Sequence, residues 1–313
     1  MSRVILVTGA AGFAGSHLLD LLARDGADIV AWHRPGEALP HGMSGLRWEP
    51  VELLDRTAVT RAIAGLRPSV VYHLAGAAHV GHSFSASEVT FAINVRATHH
   101  VLDALERTGE SVRVFIPSSA LVYATTTEAL TEEHALIPAS PYGLSKLAQE
   151  MLGARTRGRV AVTIARAFNH FGPRQQPQFA ASSFAHQIAG IETGRWPPEI
   201  PVGNLDAQRD LTDVRDTVRA YRVILERGLP GRPYNVCSGH VITIRHLLDL
   251  LIQRARVPVT VTVDPARYRP NDTPVLLGDP TRLRDELGWT PTIPLEQTLD
   301  DLLDYWRSQE PAR

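Results

Sequence analysis

The chain has 313 residues, 44% of them hydrophobic, with a formal net charge of -1, enough for a large core and about two lobes. That charge balance argues against a nucleic-acid or membrane partner, which would call for a basic surface. The single cysteine, Cys237, excludes an internal disulfide and fits a reducing, cytoplasmic setting; no apolar run reaches transmembrane length, and Val4 to Val7 is too short for the core of a signal peptide.

Val4-Ile5-Leu6-Val7-Thr8 is a short apolar run suited to a buried parallel strand. Gly9-Ala10-Ala11-Gly12-Phe13-Ala14-Gly15 follows, and then an apolar-periodic helix around Leu18 to Leu22. A strand, a glycine turn and a helix start form the setting of a dinucleotide site, with Gly9, Gly12, Phe13 and Gly15 approaching a pyrophosphate. A second strand, Ala27 to Trp32, ends in His33-Arg34-Pro35-Gly36. No acid stands there to accept from adenosine ribose hydroxyls, and Arg34 is placed to pair with a 2′-phosphate. The expected cofactor is therefore NADPH, with NADH the weaker choice.

Strand signals recur at Ser69 to Leu74 and at Val112 to Ile116, with a helix over roughly Glu88 to Thr108 between them. Another helix starts at Pro141 and another strand at Val160. The alternation predicts an α/β fold with a doubly wound, parallel Rossmann sheet. After Phe168 Pro and Gly become frequent, as in Gly172-Pro173 and Trp196-Pro197-Pro198, and only short elements are expected. Residues 1-168 are expected to form the dinucleotide-binding domain, with later strands near 205-237 returning to it. Residues 169-313 would mainly form a smaller, interleaved substrate lobe. The thirteen histidines show no metal-ligand spacing, so no metal is expected.

Of 32 basic residues only Lys146 is lysine, four after Tyr142 in Tyr142-Gly-Leu-Ser-Lys146. A chain that uses arginine almost everywhere keeps lysine where a compact ammonium must fit. Ser140 and Pro141 are helix-start signals, and residues i and i+4 share a helix face. A cation beside the phenol lowers its pKa, which makes the pair a proton donor usable near neutrality.

With these features the chain resembles the extended short-chain dehydrogenase/reductases. In Ser118-Ser119-Ala120-Leu121-Val122-Tyr123, Ser119 takes the place of that family's catalytic serine or threonine. Leu74-Ala75-Gly76-Ala77-Ala78 matches its loop after the fourth strand, and Asn94 its helix asparagine. The resemblance implies cofactor contacts at Leu53, Leu74, Ala75, Gly76 and Asn94, besides Tyr142 and Lys146. Arg166 to Pro173, Val202-Gly-Asn-Leu205, Arg209 to Arg215 and Tyr234 to Gly239 resemble the GDP-sugar branch, nearest its GDP-4-keto-6-deoxy-D-mannose reductases, with the GDP-mannose 4,6-dehydratases as close relatives. That likeness implies substrate contacts at Ser119, Asn169, Val202, Arg209 and Arg269, and a homodimer through helices near residues 94–107 and 142–155.

Two departures stand out. Ala124 replaces the glycine that usually follows the strand-end tyrosine. Ala120-Leu121 replaces the acidic or polar pair with which the sugar-nucleotide dehydratases move protons at C5 and C6. The reading is NADPH-dependent reduction of the C4 ketone of GDP-4-keto-6-deoxy-D-mannose, to GDP-rhamnose or GDP-6-deoxytalose. Its rivals are a sugar-nucleotide 4-epimerase, a GDP-mannose 4,6-dehydratase, and an inactive NADP-sensing protein. Ser119, Tyr142 and Lys146 would be the catalytic set.

Overall fold

The computed structural model describes residues 4–37, 39, 45–156, 158–268 and 273–310. In chain order, β1 (Val4–Thr8) leads into α1 (Phe13–Ala23), β2 (Asp28–His33), β3 (Arg47–Pro50), α2 (Arg56–Leu66) and β4 (Val70–His73). Two short helices, α3 (Val80–Ser85) and α4 (Ser87–Phe91), run through a π-helical turn (Ala92–Arg96) into α5 (Ala97–Thr108). Then come β5 (Val112–Ser119), a 3₁₀ turn (Ala120–Val122), α6 (Pro141–Arg155) and β6 (Val160–Ala167). The remainder holds β7 (Asn169–Phe171), α7 (Ala180–Glu192), β8 (Glu199–Val202), β9 (Gln208–Asp213), α8 (Val214–Arg227) and β10 (Pro233–Val236). It closes with β11 (Val241–Thr243), α9 (Ile244–Ile252), β12 (Thr260–Val263), β13 (Val275–Leu276), α10 (Thr281–Leu287) and α11 (Leu295–Gln309).

Seven strands form one sheet in the order β10-β6-β5-β4-β1-β2-β3, and each pair of neighbours is parallel. The order reverses between β1 and β4, which opens a crevice at their carboxyl ends. In register, Thr8 at the end of β1 lies opposite His73 at the end of β4. Leu18 and Leu19 of α1 and Tyr221 and Ile224 of α8 pack against Tyr72 and Phe115 on one face. Val59, Ile63, Val101 and Leu105 of α2 and α5 pack against Val71, Val114 and Ile116 on the other. Each such side chain contributes about 1.5–3 kcal/mol on burial, so the crevice stands on a rigid floor.

The second half differs from expectation in one respect. Its helices are not all short: α7, α8 and α11 have 13, 14 and 15 residues. The prolines and glycines that suggested broken structure sit between the helices. Gly172-Pro173 precedes α7 and Trp196-Pro197-Pro198 follows it, while no proline lies inside any of the three. Phe184, Ile188, Leu247, Leu251, Leu299 and Leu302 join α7, α9 and α11 in a core of their own. β9 is flanked by β11, β13 and β7, and β12 pairs with β8. No helix among the described residues is long and apolar enough to cross a membrane.

Candidate active site

The chain turns at Gly9, immediately after β1, with φ of 64°. A Cβ there would lie 2.6 Å from the Ala75 nitrogen, so glycine is what lets the loops after β1 and β4 meet. A Cβ on Gly15 would lie 2.2 Å from the Gly9 carbonyl oxygen, which seats α1 directly on the turn. Gly12 caps α1 with no side-chain hydrogen bond, and no acid lies in the first turn. The free N–H groups and positive dipole end therefore face the crevice, a fit for a pyrophosphate. Phe13 stacks on His170, with ring centroids 5.9 Å apart and 4° between planes.

Arg34 follows β2 and is exposed; its backbone N–H donates to Glu37 Oε2 at 3.3 Å. Leu74 and Ala75 anchor on Thr8, through its carbonyl at 3.1 Å and its hydroxyl at 3.3 Å. Gly76 is exposed beside them. Leu53 packs at the edge of the core, and its carbonyl meets His100 Nδ1 at 2.9 Å. Asn94 lies in the π-helical turn, a deformation frequent at functional sites. It is fully buried, with Oδ1 accepting from the Ala77 N–H at 2.7 Å and Nδ2 donating to Ser145 Oγ at 2.8 Å. Its amide braces the loop after β4 against α6.

The α6 start forms as its sequence predicts: Ser140 Oγ accepts from the Gly143 N–H at 3.0 Å, and Pro141 sits in the first turn. A Cβ on Gly143 would lie 2.3 Å from the Leu121 carbonyl oxygen. Glycine here lets α6 dock on the 3₁₀ turn after β5, which brings Tyr142 near enough to Ser119 for the serine hydroxyl to favour its phenolate. Ser119 Oγ also accepts from the Leu121 N–H at 3.2 Å. α6 is inverted relative to an ordinary surface helix. Lys146, Gln149 and Glu150 are buried, whereas Leu144 and Met151 are 49% and 58% exposed.

Burial lowers the Lys146 pKa to about 8, while Glu150 pulls it back up. Its ammonium donates to Gln149 Oε1 at 2.5 Å. Tyr142 departs from expectation, because burial raises its pKa and it is Ser119, not Lys146, that pulls it down. The physical reason is direction: Lys146 points at Gln149 and is itself pushed towards neutrality. Glu150 is also held by Arg166, in a buried ion pair of 2.9 Å. Arg166 Nη1 in turn donates to Tyr123 Oη at 3.0 Å.

A cleft beside the 3₁₀ turn after Ser119 is lined by Phe84, Ala120, Leu121, Ser140, Thr273 and Leu276, among others, and among the described residues no Asp, Glu, His, Lys or Arg lines it. The acids of the loop beyond are turned away. Glu128 and Glu133 are exposed, Glu133 bonding to Arg282, and buried Glu132 accepts from the Asn235 N–H at 2.7 Å. Asn169 is exposed at the start of β7. Arg209 Nη1 donates to the Gln208 and Thr273 carbonyls at 2.8 and 2.7 Å. Asp210 and Asp213 have other donors, Ser238 and Arg215. The Val202 side chain is buried in the second core, and its carbonyl accepts from the Asp264 N–H at 2.8 Å. Arg269 lies outside the described residues.

Sequence reasoning missed the buried polar group behind Lys146: Thr8, His73, Thr98 and Gln149. The signal was available at one position, since Gln149 falls three residues after Lys146 and so on its face of α6. Among the described residues no group of three His, Cys, Asp or Glu side chains could hold a metal ion.

The family model described as GDP-mannose 4,6 dehydratase matches residues 6–302. The GDP-6-deoxy-D-mannose reductase of Pseudomonas aeruginosa is 36% identical over 315 residues, covering 99% of each chain. Among solved structures, RMD from Pseudomonas aeruginosa complexed with NADPH superposes with a TM-score of 0.85 at 34% identity, covering 99% of this chain and 100% of that one. A putative epimerase from Burkholderia cenocepacia gives 0.87 at 33% identity, covering 98% and 99%.

Proposed function

The chain belongs to the GDP-mannose 4,6 dehydratase family, and on that footing we propose that it reduces the C4 ketone of GDP-4-keto-6-deoxy-D-mannose with NADPH, giving GDP-rhamnose or GDP-6-deoxytalose. The observation that carries this is the cleft wall at Ala120 and Leu121. Ser119 directly precedes these two residues in the chain, and among the described residues no carboxylate, imidazole, amine or guanidinium lines the cleft. Reduction of a ketone asks for one proton; loss of water across C5 and C6 asks for a further acid and base.

NADPH supplies the hydride to C4 when bound. The residues do the rest. The uncapped start of α1 takes the pyrophosphate and Arg34 the 2′-phosphate. Lys146 holds the nicotinamide ribose with the ammonium it keeps below about pH 8. Ser119 hydrogen-bonds the C4 oxygen, and Tyr142, whose raised pKa keeps it protonated, gives that oxygen its proton. Asn169, Arg209 and Arg269 belong to the lobe that receives the sugar nucleotide, and Val202 contributes backbone there. Arginine suits a diphosphate because its fork makes paired hydrogen bonds.

The same reading makes the protein a cytoplasmic homodimer, paired through the outer faces of α5 and α6. Exposed Leu144 and Met151 support that surface. The test against an epimerase is the cofactor demand. The purified enzyme should convert the 4-keto sugar only when NADPH is added, consuming one per sugar. Turnover of a sugar nucleotide without added reductant, on NAD released only by denaturation, would establish the epimerase instead.

A further inference from the structure

His73 ends β4 and is 1% exposed. Its hydrogen bonds have one consistent direction. The Ala75 N–H donates to Thr8 Oγ1 at 3.3 Å, and the Thr8 hydroxyl proton goes on to His73 Nδ1 at 2.8 Å. On the far side, Thr98 Oγ1 gives its one proton to the Asn94 carbonyl at 2.6 Å. Thr98 Oγ1 must then accept from His73 Nε2 at 2.9 Å and from Gln149 Nε2 at 2.8 Å. Nε2 is therefore a protonated nitrogen, and the neutral tautomer leaves Nδ1 bare for the Thr8 hydroxyl. Burial and the nearby Lys146 charge act in the same sense, lowering its pKa to about 3.

The amide of Gln149 has no choice of orientation either. Its nitrogen faces Thr98, so its oxygen faces Lys146 Nζ at 2.5 Å. Gln149 and Thr98 are both fully buried, and an amide turned the other way would set N–H groups against an ammonium. We propose that Thr98, held by His73, is a positioning residue for Lys146: it fixes the Gln149 amide so that its oxygen receives the ammonium, and through Thr8 it ties that arrangement to the Ala75 N–H of the dinucleotide loop. The proposal rests on the reading of Lys146 as the cation of the NADPH site. Among the described residues, the titratable groups bearing on Lys146 are Glu150 on the same helix, which favours its charge, and His73 on β4, which is neutral.

The experiment measures NADPH affinity of the full chain against pH for the native protein, Thr98→Val, Thr98→Ser and Gln149→Glu. Lys146 is charged below its pKa of about 8, so native affinity falls as pH rises through that value, roughly tenfold one pH unit above it. Thr98→Val takes away the acceptor of the Gln149 N–H and loosens the amide oxygen from Nζ, which brings the fall on at lower pH, with binding already several-fold weaker at neutrality; Thr98→Ser, which keeps the hydroxyl, restores the native profile. Gln149→Glu sets a carboxylate against Nζ and moves the fall to higher pH. A structural role alone would lower thermal stability and leave the pH profile in place. A native profile in Thr98→Val overturns the proposal, and should that variant not fold, an unmoved profile in Gln149→Glu overturns it. A native protein that binds NADPH with no fall above pH 8, or does not bind it, removes the reading of Lys146 and the proposal with it.

Discussion

Lys146→Arg separates charge from fit at the centre of the site. Burial shifts the Lys146 pKa from 10.5 to about 8, which corresponds to about 3 kcal/mol of disfavour for the ammonium. Lysine can shed that cost by losing its proton. Arginine cannot, since its pKa stays above about 12, and its planar fork is wider than the space an ammonium fills beside Gln149. The variant is therefore expected to match the native stability near neutral pH, where lysine is charged too, to fall up to about 3 kcal/mol behind it as pH rises from about 8 to 10.5, and to lose roughly 100-fold or more in kcat. Its residual activity carries a second signature. Native kcat/KM for NADPH falls as pH rises through about 8, because the ammonium is lost; with arginine that alkaline fall disappears. The assay is NADPH oxidation over a pH series, with a denaturant melt of each protein. Full activity with arginine, or an alkaline fall unmoved at about pH 8, would refute the assignment of Lys146.

Arg34→Ala should weaken NADPH about tenfold or more, the scale of one charge-assisted pair, and leave NADH unchanged; equal weakening of both would make Arg34 a loop residue only. Acid should unfold the protein through its buried histidines. His17 and His73 have pKa values of about 4 and about 3 in the fold, below the ordinary 6.5, so each contributes stability at neutral pH that is lost as pH falls below 6.5 towards those values. His17→Asn should flatten that acid slope, and an unchanged slope in urea melts would exclude His17 as its source. If the chain pairs as proposed, the native protein should be a dimer in light scattering and Leu144→Glu with Met151→Glu a monomer; a native protein already monomeric at micromolar concentration would dispose of the homodimer.

The dinucleotide half was legible because its signals are local. A glycine turn between β1 and α1, and Ser140-Pro141 before Tyr142, each specify their own backbone. β3 and α2 escaped notice because their apolar content is thin, only Val59 and Ile63 being buried on α2. The long helices of the second half were hidden by prolines that mark their borders. Within the site, sequence spacing placed Tyr142 and Lys146 on one helix but not the direction of the lysine. That direction depends on Gln149, and Gln149 on Thr98 and His73, which come from two other elements. The pKa of Tyr142 was misjudged for the same reason, since burial and the Ser119 contact are products of the tertiary fold.

On the proposed function, this site delivers one proton and one hydride to a ketone and does not remove water. Parallel incubations test it: GDP-4-keto-6-deoxy-D-mannose with NADPH in one, GDP-mannose with NADP in the other, each followed by product analysis. One NADPH should be oxidised per sugar reduced at C4 in the first, and little or no 4-keto-6-deoxy product should form in the second. Water loss from GDP-mannose at a rate comparable with ketone reduction would contradict it and make the enzyme a dehydratase.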